Sequence, residues 1–221
     1  QPVADLVPLT ERFPIGLADE TALEQFQGDS RVRILFDVGG SPGTDPGTPA
    51  IGWEEPFGSF PPPEVRPTTW YLAPDGALAT DAPTVADDAT DGADEYRSDP
   101  SARPEVNLDD GSSVDERRPA YTWEQPPDES SLSYVSPILL TPVVLAGSAS
   151  ADLWIRSSET DTDLQVTLSE VRADGQETFI QTGWLRASQR ALDQRRSTAL
   201  QPLLTQLEAD AEPLEPGEFT P

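Results

Sequence analysis

Histidine is absent from all 221 residues, and that absence excludes more chemistry than any residue present invites. Imidazole is the usual proton carrier near neutral pH, so neither a Ser-His-Asp nor a Cys-His mechanism can be completed inside the chain. Cysteine is absent as well, which excludes disulfides and thiolate chemistry and removes redox usage as a guide to compartment. A zinc site would have to be built from carboxylates alone, an unusual donor set. Lysine is missing too: all 14 basic residues are Arg, against 40 Asp and Glu, for a formal net charge of −26. A field of that sign repels nucleic acid and anionic lipid, so neither is expected as a partner. Arg without Lys is the pattern of a GC-rich genome or of a salty habitat. No apolar run approaches the roughly 18 residues that a membrane helix needs, and the first residues do not read as a signal peptide. Methionine is lacking, so the expectation is a processed product or a portion of something longer.

What is present points to strands and loops. The hydrophobic fraction is 36%, low for a globular domain, while Pro at 24 and Gly at 15 are plentiful. Short strands joined by long irregular connections fit that balance, and the length suits one large β-sandwich better than two domains. Residues 1–30 read as a lead-in or linker from a preceding domain, with helix-compatible stretches at Leu6 to Arg12 and Ala18 to Phe26. From Arg31 to Val38 the pattern alternates, with Val32, Ile34, Phe36 and Val38 on one face and Arg33, Leu35 and Asp37 on the other: a strand of period two. Residues 39–66 are rich in Gly and Pro, with Trp53, Phe57 and Phe60 embedded. Thr68 to Leu72 reads as a short strand, turned by Pro74-Asp75-Gly76. Residues 79–130 are acidic and poor in apolar side chains, and 81–130 is read as a long acidic loop partly ordered by Tyr96, Val106, Tyr121 and Trp123. Within it, 81–95 reads as surface loop or as disordered.

The last hundred residues carry the densest strand signal. Val143 to Ala146, Ala151 to Arg156, Leu164 to Val171 and Glu177 to Leu185 each fit a strand. Ala173-Asp174-Gly175 joins the last two as a hairpin, with Gly supplying a positive φ at no steric cost. That number of antiparallel strands argues for an all-β sandwich. Leu200 to Leu207 is a candidate helix.

Several residue groups invite a chemical reading and do not sustain it. Gly39-Gly40-Ser41-Pro42-Gly43 follows a strand and satisfies the spelling of a nucleophile elbow. The elbow needs a helix next, yet Pro42, Pro46 and Pro49 follow; Pro42 has no N–H to offer an oxyanion, and there is no His to take the serine proton. Ordinary Gly/Pro turns are the better reading. Asp87, Asp88, Asp91, Asp94 and Glu95 suggest calcium, but their spacing departs from a calcium-loop pattern, which leaves a solvated charge run. Asp161 and Asp163 could form a carboxylate pair, though alternate residues beside a strand more often cap a turn. The Trp and Phe residues read as core and loop anchors before they read as a sugar-binding platform. No catalytic, cofactor-binding or metal-binding residue is assigned.

Four motifs in order carry a resemblance. Phe60-Pro61-Pro62 leads into Trp70-Tyr71-Leu72-Ala73-Pro74-Asp75-Gly76-Ala77-Leu78, and Tyr134-Val135-Ser136-Pro137-Ile138-Leu139 leads into Leu145-Ala146-Gly147. Asp161-Thr162-Asp163-Leu164 is followed by Val171, Asp174-Gly175 and Gly183-Trp184-Leu185-Arg186-Ala187-Ser188-Gln189-Arg190. The last is Glu212-Pro213-Leu214-Glu215-Pro216-Gly217-Glu218-Phe219. Over residues 31–221 the chain resembles the C-terminal jelly-roll domain of X-Pro dipeptidyl-peptidases and of the cocaine esterase, α-amino acid ester hydrolase and glutaryl acylase group. The resemblance implies a jelly-roll β-sandwich with long acidic loops that packs on an upstream α/β-hydrolase domain of the same protein. It also implies that this accessory domain helps to wall the substrate cleft while the triad lies upstream. The family's jelly roll runs on past Gly217-Glu218-Phe219, so the further expectation is a sandwich lacking its final strands, completed by another chain or by more of the same molecule. The competing readings are a jelly-roll carbohydrate-binding module using aromatics such as Trp53 and Trp123, and a structural assembly unit with a docking edge.

Overall fold

A computed structural model describes residues 13–39, 49–83, 92–99, 130–175, 177–199 and 201–221. Among them is one helix, α1 (Asp19–Gln27), and every longer regular element is a strand. The helix falls on the stretch expected from Ala18 to Phe26. Asp19 and Glu20 complement the positive end of its dipole, and the Gly28 N–H closes the other end on the Glu24 carbonyl at 2.9 Å.

The strands pair into four separate two-stranded antiparallel units, an all-β arrangement. In the first, β1 (Val32–Asp37) lies against β2 (Ile51–Phe57). The alternation of β1 is the one its sequence predicts: Val32, Ile34 and Phe36 turn inward, while Arg33, Leu35 and Asp37 face out. Phe36 is buried and stacks on Trp53 with ring centroids 4.6 Å apart. Where the ladder slips by one residue, Asp37 Oδ1 accepts hydrogen bonds from Gly39 N (2.7 Å) and Ala50 N (3.0 Å), which closes the open end. β2 lies in the Gly- and Pro-rich stretch 39–66, where no strand is predicted. Its sequence, Ile-Gly-Trp-Glu-Glu-Pro-Phe, has no alternation and holds two strand-averse residues, so its own propensity is poor. Pairing with β1 supplies what propensity does not, helped by the cross-strand ion pair of Arg33 with Glu54.

In the second unit, β3 (Tyr71–Ala73) and β4 (Ala77–Ala79) flank a turn over Pro74–Gly76. Asp75 (φ 61°) and Gly76 (φ 69°) both take the left-handed conformation there. The strand expected over Thr68 to Leu72 is therefore shifted, with its ladder starting at Tyr71. Val135 runs alongside, its N–H on the Gly76 carbonyl (2.8 Å) and its carbonyl receiving the Leu78 N–H (2.9 Å).

The third and fourth units involve the strand-rich end of the chain. β5 (Ile155–Arg156) pairs with β8 (Phe219–Thr220), and the Arg156 guanidinium lies 4.8 Å from the Phe219 ring centre. Only that end of the predicted Ala151 to Arg156 strand enters a ladder, and Val143 to Ala146, predicted as a strand, enters none among the described residues. The longest unit is the hairpin of β6 (Asp163–Val171) and β7 (Glu177–Arg186). Its strands and antiparallel pairing are those expected from the alternation, and Gly175 at the turn has φ 81°. Thr167 and Thr182 hydroxyls meet across the ladder at 3.1 Å, and Arg172 at the tip donates to the Gly39 carbonyl at 2.9 Å, tying the hairpin to the end of β1.

The helix predicted over Leu200 to Leu207 is not formed by its described residues. Pro202 has no N–H for a helical bond, and the segment instead folds back on 192–198, with Leu192 bridging Leu204 and Thr198 bridging Gln201. The Asp193 N–H bonds the Leu203 carbonyl at 2.8 Å and the Ser197 Oγ accepts from Leu203 N at 2.9 Å, so local antiparallel contacts take the donors that a helix would need. Among the described residues the buried apolar ones are Phe36 in the first unit, Pro62, and Ala187 with Leu214 at the foot of the hairpin.

Candidate functional site

The foot of the β6–β7 hairpin is where the last two of the four sequence motifs converge. Asp161-Thr162-Asp163 enters β6, Arg186-Ala187-Ser188-Gln189-Arg190 leaves β7, and Glu212-Pro213-Leu214 closes over them. Antiparallel pairing forces the first meeting, because β6 starts opposite the end of β7, with Asp163 across from Arg186. Backbone bonds make the second: Glu212 N donates to the Ser188 carbonyl (2.9 Å) and Leu214 N to the Thr160 carbonyl (2.7 Å).

Asp161 is the centre of this cluster. Its Oδ1 accepts from the backbone N–H of Ser188 (2.9 Å) and of Thr162 (3.0 Å), and its Oδ2 from the Ser188 hydroxyl (2.7 Å). The Ser188 hydroxyl, the two backbone N–H groups and the nearby Arg186 charge hold its carboxyl below the usual carboxylate range, against the opposing effect of burial. Asp163 faces solvent and grips Arg186 with both oxygens, at 2.8 Å to Nε and 3.0 Å to Nη2. That hydrogen bonding lowers the Asp163 pKa and raises that of Arg186. Arg190 donates to the carbonyls of Ala187 and Glu212 and to the Glu212 carboxylate (3.0 Å). Ala187 and Ser188 are buried, at 2% and 8% exposure.

This arrangement binds chain to chain. Ser188 lies against a carboxylate, but a carboxylate with a depressed pKa is a poor general base, and the hydroxyl is shut away from solvent. Of Asp161 and Asp163, expected as a carboxylate pair or as turn caps, Asp161 caps the backbone N–H groups of Thr162 and Ser188, whereas Asp163 pairs with the Arg186 side chain across the ladder. Arg186, Ser188, Arg190 and Glu212 belong to the sequence motifs, and the sequence alone assigns them no role. Their contribution is a lock, and the signal for it is the occurrence of charged and hydroxyl residues in two segments far apart in sequence.

The remaining candidates are scattered. Ser41 lies outside the described residues, as do Asp87, Asp88, Asp91 and Trp123. Asp94 accepts a 2.6 Å hydrogen bond from the Tyr134 hydroxyl, whose pKa is pushed up to about 12 by burial and by the Asp94 hydrogen bond and charge. Trp53 is engaged in its stack with Phe36, whereas Trp154 and Trp184 are 71% and 69% exposed. An open groove of about 360 Å³ between Phe26 and Arg33 is lined by Phe26, Gln27, Asp29, Ser30, Arg31 and Arg33. Among the described residues no three carboxylates come together in a way that could hold a metal ion, and no helix is long and apolar enough to cross a membrane.

The family model for the X-Pro dipeptidyl-peptidase C-terminal non-catalytic domain matches residues 24–221. Two proteins that carry the name of a serine esterase, one from Mycobacterium bovis and one from Mycobacterium tuberculosis, are each 32% identical to the chain over 168 residues. Those residues are 72% of this chain and 25% of each relative, so the matched stretch spans about a quarter of the relatives' length. No solved structure matches. On the match over 24–221, the chain belongs to the family of X-Pro dipeptidyl-peptidase C-terminal non-catalytic domains.

Proposed function

We propose that this chain is the accessory domain of a serine hydrolase whose catalytic triad lies in an upstream α/β-hydrolase domain of the same polypeptide. Residues 31–221 form the accessory domain in this reading, with 1–30 as the lead-in and 81–130 as its long acidic loop. The observation that carries it is the family match over 24–221 in a chain without a single His. A triad needs an imidazole, so the reaction has to be housed elsewhere. The substrate class is an ester, an amide or an X-Pro dipeptide, and the domain packs on the catalytic one and walls part of its cleft. Packing of that kind is supported by large apolar side chains that face solvent, among them Ile138 at 88% and Leu140 at 93% exposure, since a protein surface seldom leaves such groups wet together.

The test compares residues 1–221 with the full polypeptide on p-nitrophenyl esters and X-Pro p-nitroanilides. All turnover should belong to the longer protein, and Ser41→Ala should leave it unchanged. Turnover by residues 1–221 alone, abolished by Ser41→Ala, would overturn the reading. Deleting residues 24–221 from the full polypeptide should raise KM more than it lowers kcat. Equal effects on both would remove the cleft-wall role while leaving the accessory assignment standing.

A further inference from the structure

We draw no further inference here: the strongest candidate, the exposed apolar surface patch of Ile138, Leu140 and Leu145 in segment 137–145, carries none, because nothing in the structure shows what covers it.

Discussion

Asp161 takes three hydrogen bonds on one carboxylate, and two of the donors belong to a residue 27 positions away. Removing that acceptor leaves the buried Ser188 N–H and hydroxyl unsatisfied, so Asp161→Ala should destabilise the domain by about 1–3 kcal/mol in denaturant unfolding. Asp161→Asn should cost less, because the amide still offers one acceptor. The charge also brings a pH dependence. The folded pKa of Asp161 lies below the unfolded value of about 3.9. Its stabilisation is therefore fully present above about pH 4 and is lost as pH falls through the folded pKa. An acid-unfolding curve that loses this component in Asp161→Asn confirms the assignment, and identical curves for the two proteins would refute it. Asp163 titrates in the same direction but sits in water, where an ion pair with Arg186 contributes little. A second residue is held by geometry rather than charge. Gly76 has φ +69°, and a Cβ there would lie 2.9 Å from the Ser133 carbonyl oxygen. Gly76→Ala should therefore lower stability by about 1–3 kcal/mol, read from the unfolding midpoint, since both the backbone strain and the contact oppose it. An unchanged midpoint would mean that the turn relaxes.

Elements differ in how much of their structure is their own. β1 and β6 were legible because apolar and polar residues alternate within each, and β7 because the Asp174-Gly175 turn sets it against β6. β2 was not legible, because Gly52, Pro56 and two Glu interrupt any alternation and its ladder exists only where β1 lies next to it. The 200–207 segment misled in the opposite sense. Its Leu spacing suits a helix, but Pro202 and the hydrogen bonds of Asp193 and Ser197 draw it into local antiparallel bridges. The foot of the hairpin was half legible: the motifs were visible, but their partnership depends on Glu212 and Leu214 returning to residues 160 and 188. The hairpin itself offers an element-scale prediction. Gly175 has φ +81° at the turn and open space around it, so Gly175→Ala meets strain without a clash. It should cost about 1 kcal/mol and lower hydrogen-exchange protection across both strands, with β1 and β2 unaffected. Loss of protection in β1 as well would show that the Arg172 contact to Gly39 couples the two units into one.

Across the whole molecule, charge is the dominant unbalanced quantity. A formal −26 with only 14 cationic side chains leaves most carboxylates repelling one another, and the few ion pairs described lie at the surface. Screening shortens the reach of that repulsion from about 30 Å at 0.01 M salt to about 3 Å at 1 M. The thermal midpoint should accordingly rise with NaCl over that range, and a flat or falling midpoint would show that the repulsion is already neutralised. The apolar residues are as unbalanced as the charges: only Phe36, Pro62, Ala187 and Leu214 are buried apolar side chains among the described residues, while Trp154 and Trp184 face solvent. By itself the sequence determined the chemistry that this chain does not house, because a triad without His fails whatever the fold. It also determined the best-patterned strands, because a two-residue period is a local property of the chain. Only the tertiary structure decided the rest: that Trp53 is a stacking partner of Phe36, that β2 exists, and that Asp161, Ser188 and Glu212 form one lock. Each of these depends on contacts between residues far apart in sequence, and no local periodicity encodes which distant segment arrives to make them.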